Sequence, residues 1–181
     1  MIDFIYYNYN YLILSIIFLS VLVGILAVKK KHRYRIKKGN LILKKIRTFE
    51  NPNVEIKIIN YLRKIDPFTF EELLLTVFKE SGCRIKRNKR YTGDGGIDGK
   101  FSFKREKYYI QAKRYKGYIK KSDILDFSKK CKNDKVRGLF IHTGKDVDVS
   151  RDVYVMLDNI VIINPDELVL FILKGTIKIS N

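Results

Sequence analysis

The chain has 181 residues, 46% of them hydrophobic, and a formal net charge of +18. That is room for about one globular domain with a buried core, and so large an excess of positive charge points to nucleic acid, an anionic membrane face, or both. The two cysteines, Cys83 and Cys131, and the two histidines, His32 and His142, form no zinc-binding spacing, which leaves reduced thiols in a cytosolic domain.

The first element is the uncharged run Tyr11 to Val28, YLILSIIFLSVLVGILAV. Eighteen helical residues span about 27 Å, close to the ~30 Å of a bilayer's hydrocarbon core. Tyr6, Tyr7, Tyr9 and Tyr11 stand where an interfacial aromatic belt would lie. A secretory signal needs its positive charge before the apolar run, whereas here Asp3 precedes it and Lys29, Lys30 and Lys31 follow. Basic flanks stay in the cytoplasm. The expectation is a single-pass anchor in the inner (cytoplasmic) membrane, residues 1–29, with the N-terminus outside. A basic juxtamembrane linker, residues 30–52, should follow, and a catalytic domain, residues 53–181, in the cytoplasm. The basic residues at 29–47 serve topology and anionic headgroups, or a DNA-binding arm.

Asn53 to Ile65 has helical spacing of its apolar residues, and Asp66-Pro67 breaks it. Thr69 with Glu72 has capping-box spacing and should open a second helix, closed by Gly82. Arg84 to Tyr91, Ile97 to Phe103 and Tyr108 to Arg114 alternate as strands, the last two joined as a hairpin by Lys104 to Lys107. Ser122 caps a helix reaching about Lys132, and Gly138 to Thr143 reads as a buried strand. A helix near Val149 to Leu157, a strand Ile160 to Ile163 and a helix Asp166 to Lys174 complete the chain. The expected fold class is α/β, a mixed central sheet flanked by helices and preceded by one transmembrane helix.

The chemistry gathers on the hairpin. Gln111 and Lys113 share one face of their strand, and Asp98 lies on the partner. A two-residue Arg105-Glu106 loop sets Asp98 opposite Lys113; a three-residue loop centred one position earlier sets it opposite Gln111. Both registers place all three on one face. Carboxylate, amide and ammonium together suit phosphodiester hydrolysis. Asp98 can hold Mg2+, Lys113 can position water or neutralise developing charge, and Gln111 can offer a neutral oxygen. The alternative use of an Asp facing a Lys is a plain cross-strand ion pair. The glycines of Thr92-Gly93-Asp94-Gly95-Gly96 let backbone approach a phosphate. Basic residues flank the hairpin on both sides, including Lys89, Arg90, Arg114 and Lys116, which we expect to contact double-stranded DNA.

Pro67-Phe68-Thr69-Phe70-Glu71, Ser81-Gly82-Cys83, TGDGGIDG over residues 92–99, Gln111-Ala112-Lys113 and Gly138 to Thr143 occur in that order. In these motifs the chain resembles the Mrr-like branch of the PD-(D/E)xK nucleases, from Pro67 to about Lys174. Cys83 departs from the aromatic usual there. The resemblance implies a restriction-endonuclease-like core. It also implies catalysis by Asp98, Gln111 and Lys113 with Mg2+, the Ala112 carbonyl as a second metal ligand beside Asp98, and Glu71 reaching in from the first helix, with Glu72 as the alternative. His142 is read as a strand residue packed beside the site. Cutting both strands takes two such sites, so a homodimer on DNA is expected. In the place of a separate DNA-reading domain stand an apolar run and a basic stretch. The rival readings are a catalytically silent nuclease-fold module that binds or tethers DNA at the membrane, and a lipid-facing structural or signalling protein whose charge serves the membrane.

Overall fold

The structure, a computed structural model, describes residues 2–50, 52–88, 96–146 and 157–176, with side chains from Tyr11 onward. Helix α1 (Ile2–Arg47) is followed by α2 (Val54–Leu62), α3 (Pro67–Glu80), β1 (Arg84–Lys86), β2 (Gly99–Phe103), β3 (Glu106–Lys113), α4 (Lys121–Asn133), β4 (Arg137–His142), β5 (Ile160–Ile163) and α5 (Pro165–Lys174). The chain divides into two compact units, residues 1–37 and 38–181.

In the first unit, the apolar residues of α1 from Tyr11 to Val28 are exposed, and the helix is long and apolar enough to cross a membrane. A helix apolar all round needs another apolar phase or a protein partner to cover it.

The second unit begins inside α1. Residues 38–47, expected as linker, are helical and belong to this unit: Ile42, Leu43 and Ile46 are buried in its main core. Gly39 lets the helix lie close to α3, since a Cβ there would be 3.1 Å from the Leu73 nitrogen. Arg47 pairs with Glu80 at 2.8 Å and donates to the Ile172 carbonyl at 3.1 Å. The basic residues around these three apolar ones hide an i, i+1, i+4 core stripe.

The sheet runs β1-β2-β3-β4-β5. β1, β2 and β3 are antiparallel neighbours, and β3, β4 and β5 are parallel. It is the expected mixed α/β sheet. Alternation assigns its faces. Phe101, Tyr108, Ile110, Leu139, Ile141 and Ile163 join the core shared with α2, α3, α5 and the end of α1. Phe140, with Tyr109, Ile160 and Ile162, packs against α4 through Phe127, Ile124 and Cys131. Phe101 is stacked between Phe78 at 4.6 Å and Tyr108 at 4.8 Å, and Phe78 also meets Phe171 at 4.6 Å. Such pairs contribute about 0.5–1.5 kcal/mol each beyond burial. Cys83 and Cys131 are free, buried thiols.

Three local readings change. Asp66-Pro67 opens α3: Asp66 is the N-cap, accepting from the Thr69 amide at 3.1 Å, and Pro67 takes the first helical position. The hairpin turn is Lys104-Arg105, both at positive φ (47° and 69°), as a two-residue primed turn requires. In the third, the strand expected over Arg84 to Tyr91 pairs at Arg84–Lys86, and its residues 89–91 lie outside the described residues. The expected helix at Val149 to Leu157 falls almost wholly outside the described residues.

Candidate active site

Strands β2 and β3 pair as Gly99↔Ile110 and Ser102↔Lys107, so Asp98, one residue before β2, comes level with Gln111. This is the register of the second expected hairpin, reached with a two-residue turn. The Asp98 amide donates to the Ile110 carbonyl at 2.8 Å, and the Asp98 carboxylate accepts from the Ala112 amide at 2.7 Å. Main chain and side chain both fasten Asp98 to β3. In a strand, the N–H and C=O of one residue point to the same side. The Ala112 carbonyl therefore faces the edge that Asp98 occupies, beyond the last β2 pair.

Gln111 is buried, and its Oε1 has no hydrogen-bond partner among the described residues. A buried acceptor left unsatisfied costs about 1–3 kcal/mol, so this oxygen suits a ligand that supplies positive charge. Gly96 lies against the same amide. It has φ +81°, and a Cβ there would stand 2.6 Å from Gln111 Nε2. Position 96 thus requires glycine twice, for conformation and for space.

Lys113 comes level with His142 of β4. Its Nζ lies 3.8 Å from Asp123 Oδ2 on α4, and the Tyr115 hydroxyl donates to that same oxygen. The ion pair of Lys113 is therefore with Asp123. Burial, then the hydrogen bond to Asp123, push the Tyr115 phenol well above its ordinary range. Sequence reasoning missed this pair, because Asp123 follows the serine taken as a helix cap. The observed N-cap is Lys120.

His142 is fully buried, 6.2 Å from the Phe140 ring. Its Nε2 is 3.1 Å from Asp146 Oδ1 but off the line of a hydrogen bond. Burial holds the imidazole below its ordinary range, and Asp146 opposes that shift.

On α3, Glu72 is not the cap partner. It is buried and accepts from Arg87 Nε at 2.6 Å. Glu71 is half-buried, one turn before Leu75, whose side chain covers Gly99 at the start of β2. Arg114 donates to the carbonyls of Arg63 (3.3 Å) and Ile65, while Arg63 donates to the Thr143 carbonyl at 3.0 Å. These two guanidiniums tie the α2–α3 turn to the ends of β3 and β4. Lys116 is exposed. Lys89 and Arg90 lie outside the described residues.

Among the described residues no three His, Cys, Asp or Glu side chains gather. The donors at hand are one carboxylate (Asp98), one orphaned amide oxygen (Gln111) and one backbone carbonyl (Ala112). All are hard oxygens, the donor type that Mg2+ takes together with waters and substrate phosphates.

A family model described as restriction endonuclease, the Mrr catalytic domain, matches residues 62–172. No curated protein and no solved structure matches the chain significantly. The match runs from the end of α2 to the last turn of α5 and contains the whole sheet with Asp98, Gln111 and Lys113. The chain belongs to the Mrr-type restriction endonuclease family.

Proposed function

We propose that the protein is a membrane-anchored, Mg2+-dependent endonuclease that hydrolyses phosphodiester bonds of double-stranded DNA in the restriction of foreign DNA. The observation that carries this reading is the Asp98 carboxylate fastened to the Ala112 amide beside the unsatisfied Gln111 oxygen. Asp98 and the Ala112 carbonyl would hold Mg2+. Bound there, the ion supplies charge that polarises the scissile phosphate and acidifies water. Gln111 directs its amide oxygen to the ion or to a ligand water. Lys113, held by Asp123, presents its ammonium to negative charge developing on the phosphate. Glu71 comes to the site from α3. Lys116, with Lys89 and Arg90, contacts the duplex backbone.

The exposed apolar stretch of α1 is the anchor, and the basic residues after it keep the nuclease unit on the cytoplasmic side with the N-terminus outside. Two copies on one duplex would cut both strands.

The test is cleavage of supercoiled plasmid by the full chain in detergent with Mg2+. Asp98→Ala, Gln111→Ala and Lys113→Ala should each slow cleavage at least a hundredfold. Equal cleavage by wild type and all three would refute the assignment.

A further inference from the structure

Asp98 and Gln111 occupy one row of a sheet face whose next two rows are basic. The register sets Lys86, Lys100 and Tyr109 side by side in one row, and Arg84, Ser102 and Lys107 in the row beyond. Successive rows on one face are about 6.8 Å apart. The partners of these residues on the other face, Ile85, Phe101 and Tyr108, point into the main core. Arg84, Lys86, Lys100, Ser102, Lys107 and Tyr109 line a cavity of about 330 Å³, closed on one side by Asp134 and Val136. Past Lys107 a second cavity, about 500 Å³, continues with Arg105, Lys135 and Arg137, and Glu106 in its wall pairs with Arg137 at 3.6 Å.

Few counter-charges lie within reach. Asp134 is already held by Lys130 at 3.2 Å and by the Tyr109 hydroxyl at 3.0 Å. Lys100 sits over the Tyr109 ring, 4.5 Å from its centroid. Among the described residues, no carboxylate comes within 4.0 Å of the ammonium or guanidinium of Arg84, Lys86 or Lys107. Like charges gathered without partners repel, and a polyanion relieves that repulsion.

We propose that the open face of β1–β2–β3 is a track for the phosphates of duplex DNA on one side of the scissile bond, ending at the Asp98–Gln111 row. DNA is favoured over an anionic bilayer because the basic rows and the catalytic row share one face of the same sheet. The polarity of the track rests on the nuclease reading; its binding chemistry does not.

The experiment uses the full chain in nanodiscs of zwitterionic lipid, with a fluorescent 30-base-pair duplex, EDTA and a KCl series, read by anisotropy. One variant carries Lys86→Gln, Lys100→Gln and Lys107→Gln. A control carries Lys57→Gln, Lys79→Gln and Lys174→Gln, exposed on the helices that cover the other face. Each phosphate contact contributes about 0.9 to the slope of log K against log salt, so the track variant should lose about 2.7 from that slope. Its affinity at 0.1 M KCl should fall at least tenfold, with the control within twofold of wild type. Equal losses in both variants, or none in the track variant, would overturn the proposal. So would unchanged DNA binding with weakened binding to phosphatidylserine vesicles. If wild type fails to cleave plasmid yet the track variant loses DNA binding, the nuclease reading falls and the track stands.

Discussion

Cutting the chain after Arg47 removes more than the exposed apolar stretch of α1. Ile42, Leu43 and Ile46 are 7%, 1% and 0% exposed, and all three leave the main core together. Burial of such side chains contributes about 1.5–3 kcal/mol each, so the loss is about 4.5–9 kcal/mol. A domain of this size has only about 5–15 kcal/mol in total. The Arg47–Glu80 pair, about a third to a half exposed, adds at most about 1 kcal/mol. A fragment of residues 48–181 is therefore expected to be largely unfolded or to aggregate, while residues 38–181 should unfold cooperatively in urea. Ile46→Ala in the longer fragment should cost about 2–5 kcal/mol. Circular dichroism through a urea titration gives both numbers. Equal midpoints for the two fragments would refute the claim that the last turns of α1 belong to the core.

Arg114→Ala should lower stability by about 1.5–3 kcal/mol, because it releases the Arg63 and Ile65 carbonyls. An unchanged melting temperature with a smaller salt slope for DNA binding would instead make Arg114 a phosphate contact. Gly96→Ala forces a side chain into φ +81° and against Gln111. It should reduce plasmid cleavage at least tenfold while strain of about 1–2 kcal/mol lowers the melting temperature by only ~2–8 °C; full activity would exclude close packing there. His142 is held below the 6.5 of a free imidazole by burial, so the unfolded chain binds the extra proton. Stability conferred by the neutral ring is full above about pH 6.5 and declines as pH falls, by at most about 1.4 kcal/mol per unit. Urea midpoints at pH 7.5 and 5.5 should diverge more for wild type than for His142→Gln, and an equal pH response in both would count against a neutral buried ring.

How far the sequence revealed the site depended on which geometry it needed. Asp98, Gln111 and Lys113 were placed on one face under either register, because strand alternation is indifferent to a shift of two in the pairing sum. Which register holds was not legible. The turn residues Lys104 and Arg105 adopt positive φ without the Asn or Gly that announces it. The ion pair of Lys113 with Asp123 joins a strand to a later helix, and no local pattern encodes it. Asp66-Pro67 was ambiguous in kind, since the same dipeptide ends one helix and caps the next. Residues 38–47 were misread because charge is conspicuous in a sequence, whereas three apolar residues on one helical face matter only once a core lies opposite them.

Burial of the two cysteines has a practical consequence. Cys131 is fully enclosed and its thiol is pushed up to about 12 by desolvation, and burial raises Cys83 as well. A thiol so rarely ionised at neutral pH is a poor nucleophile. The two native thiols should therefore react slowly with maleimide, which a labelling time course on the unmodified protein checks. A single cysteine placed at exposed Tyr34 or at Tyr118 should report alone in intact cells, so the proposed membrane topology can be tested by labelling the protein with both native thiols in place.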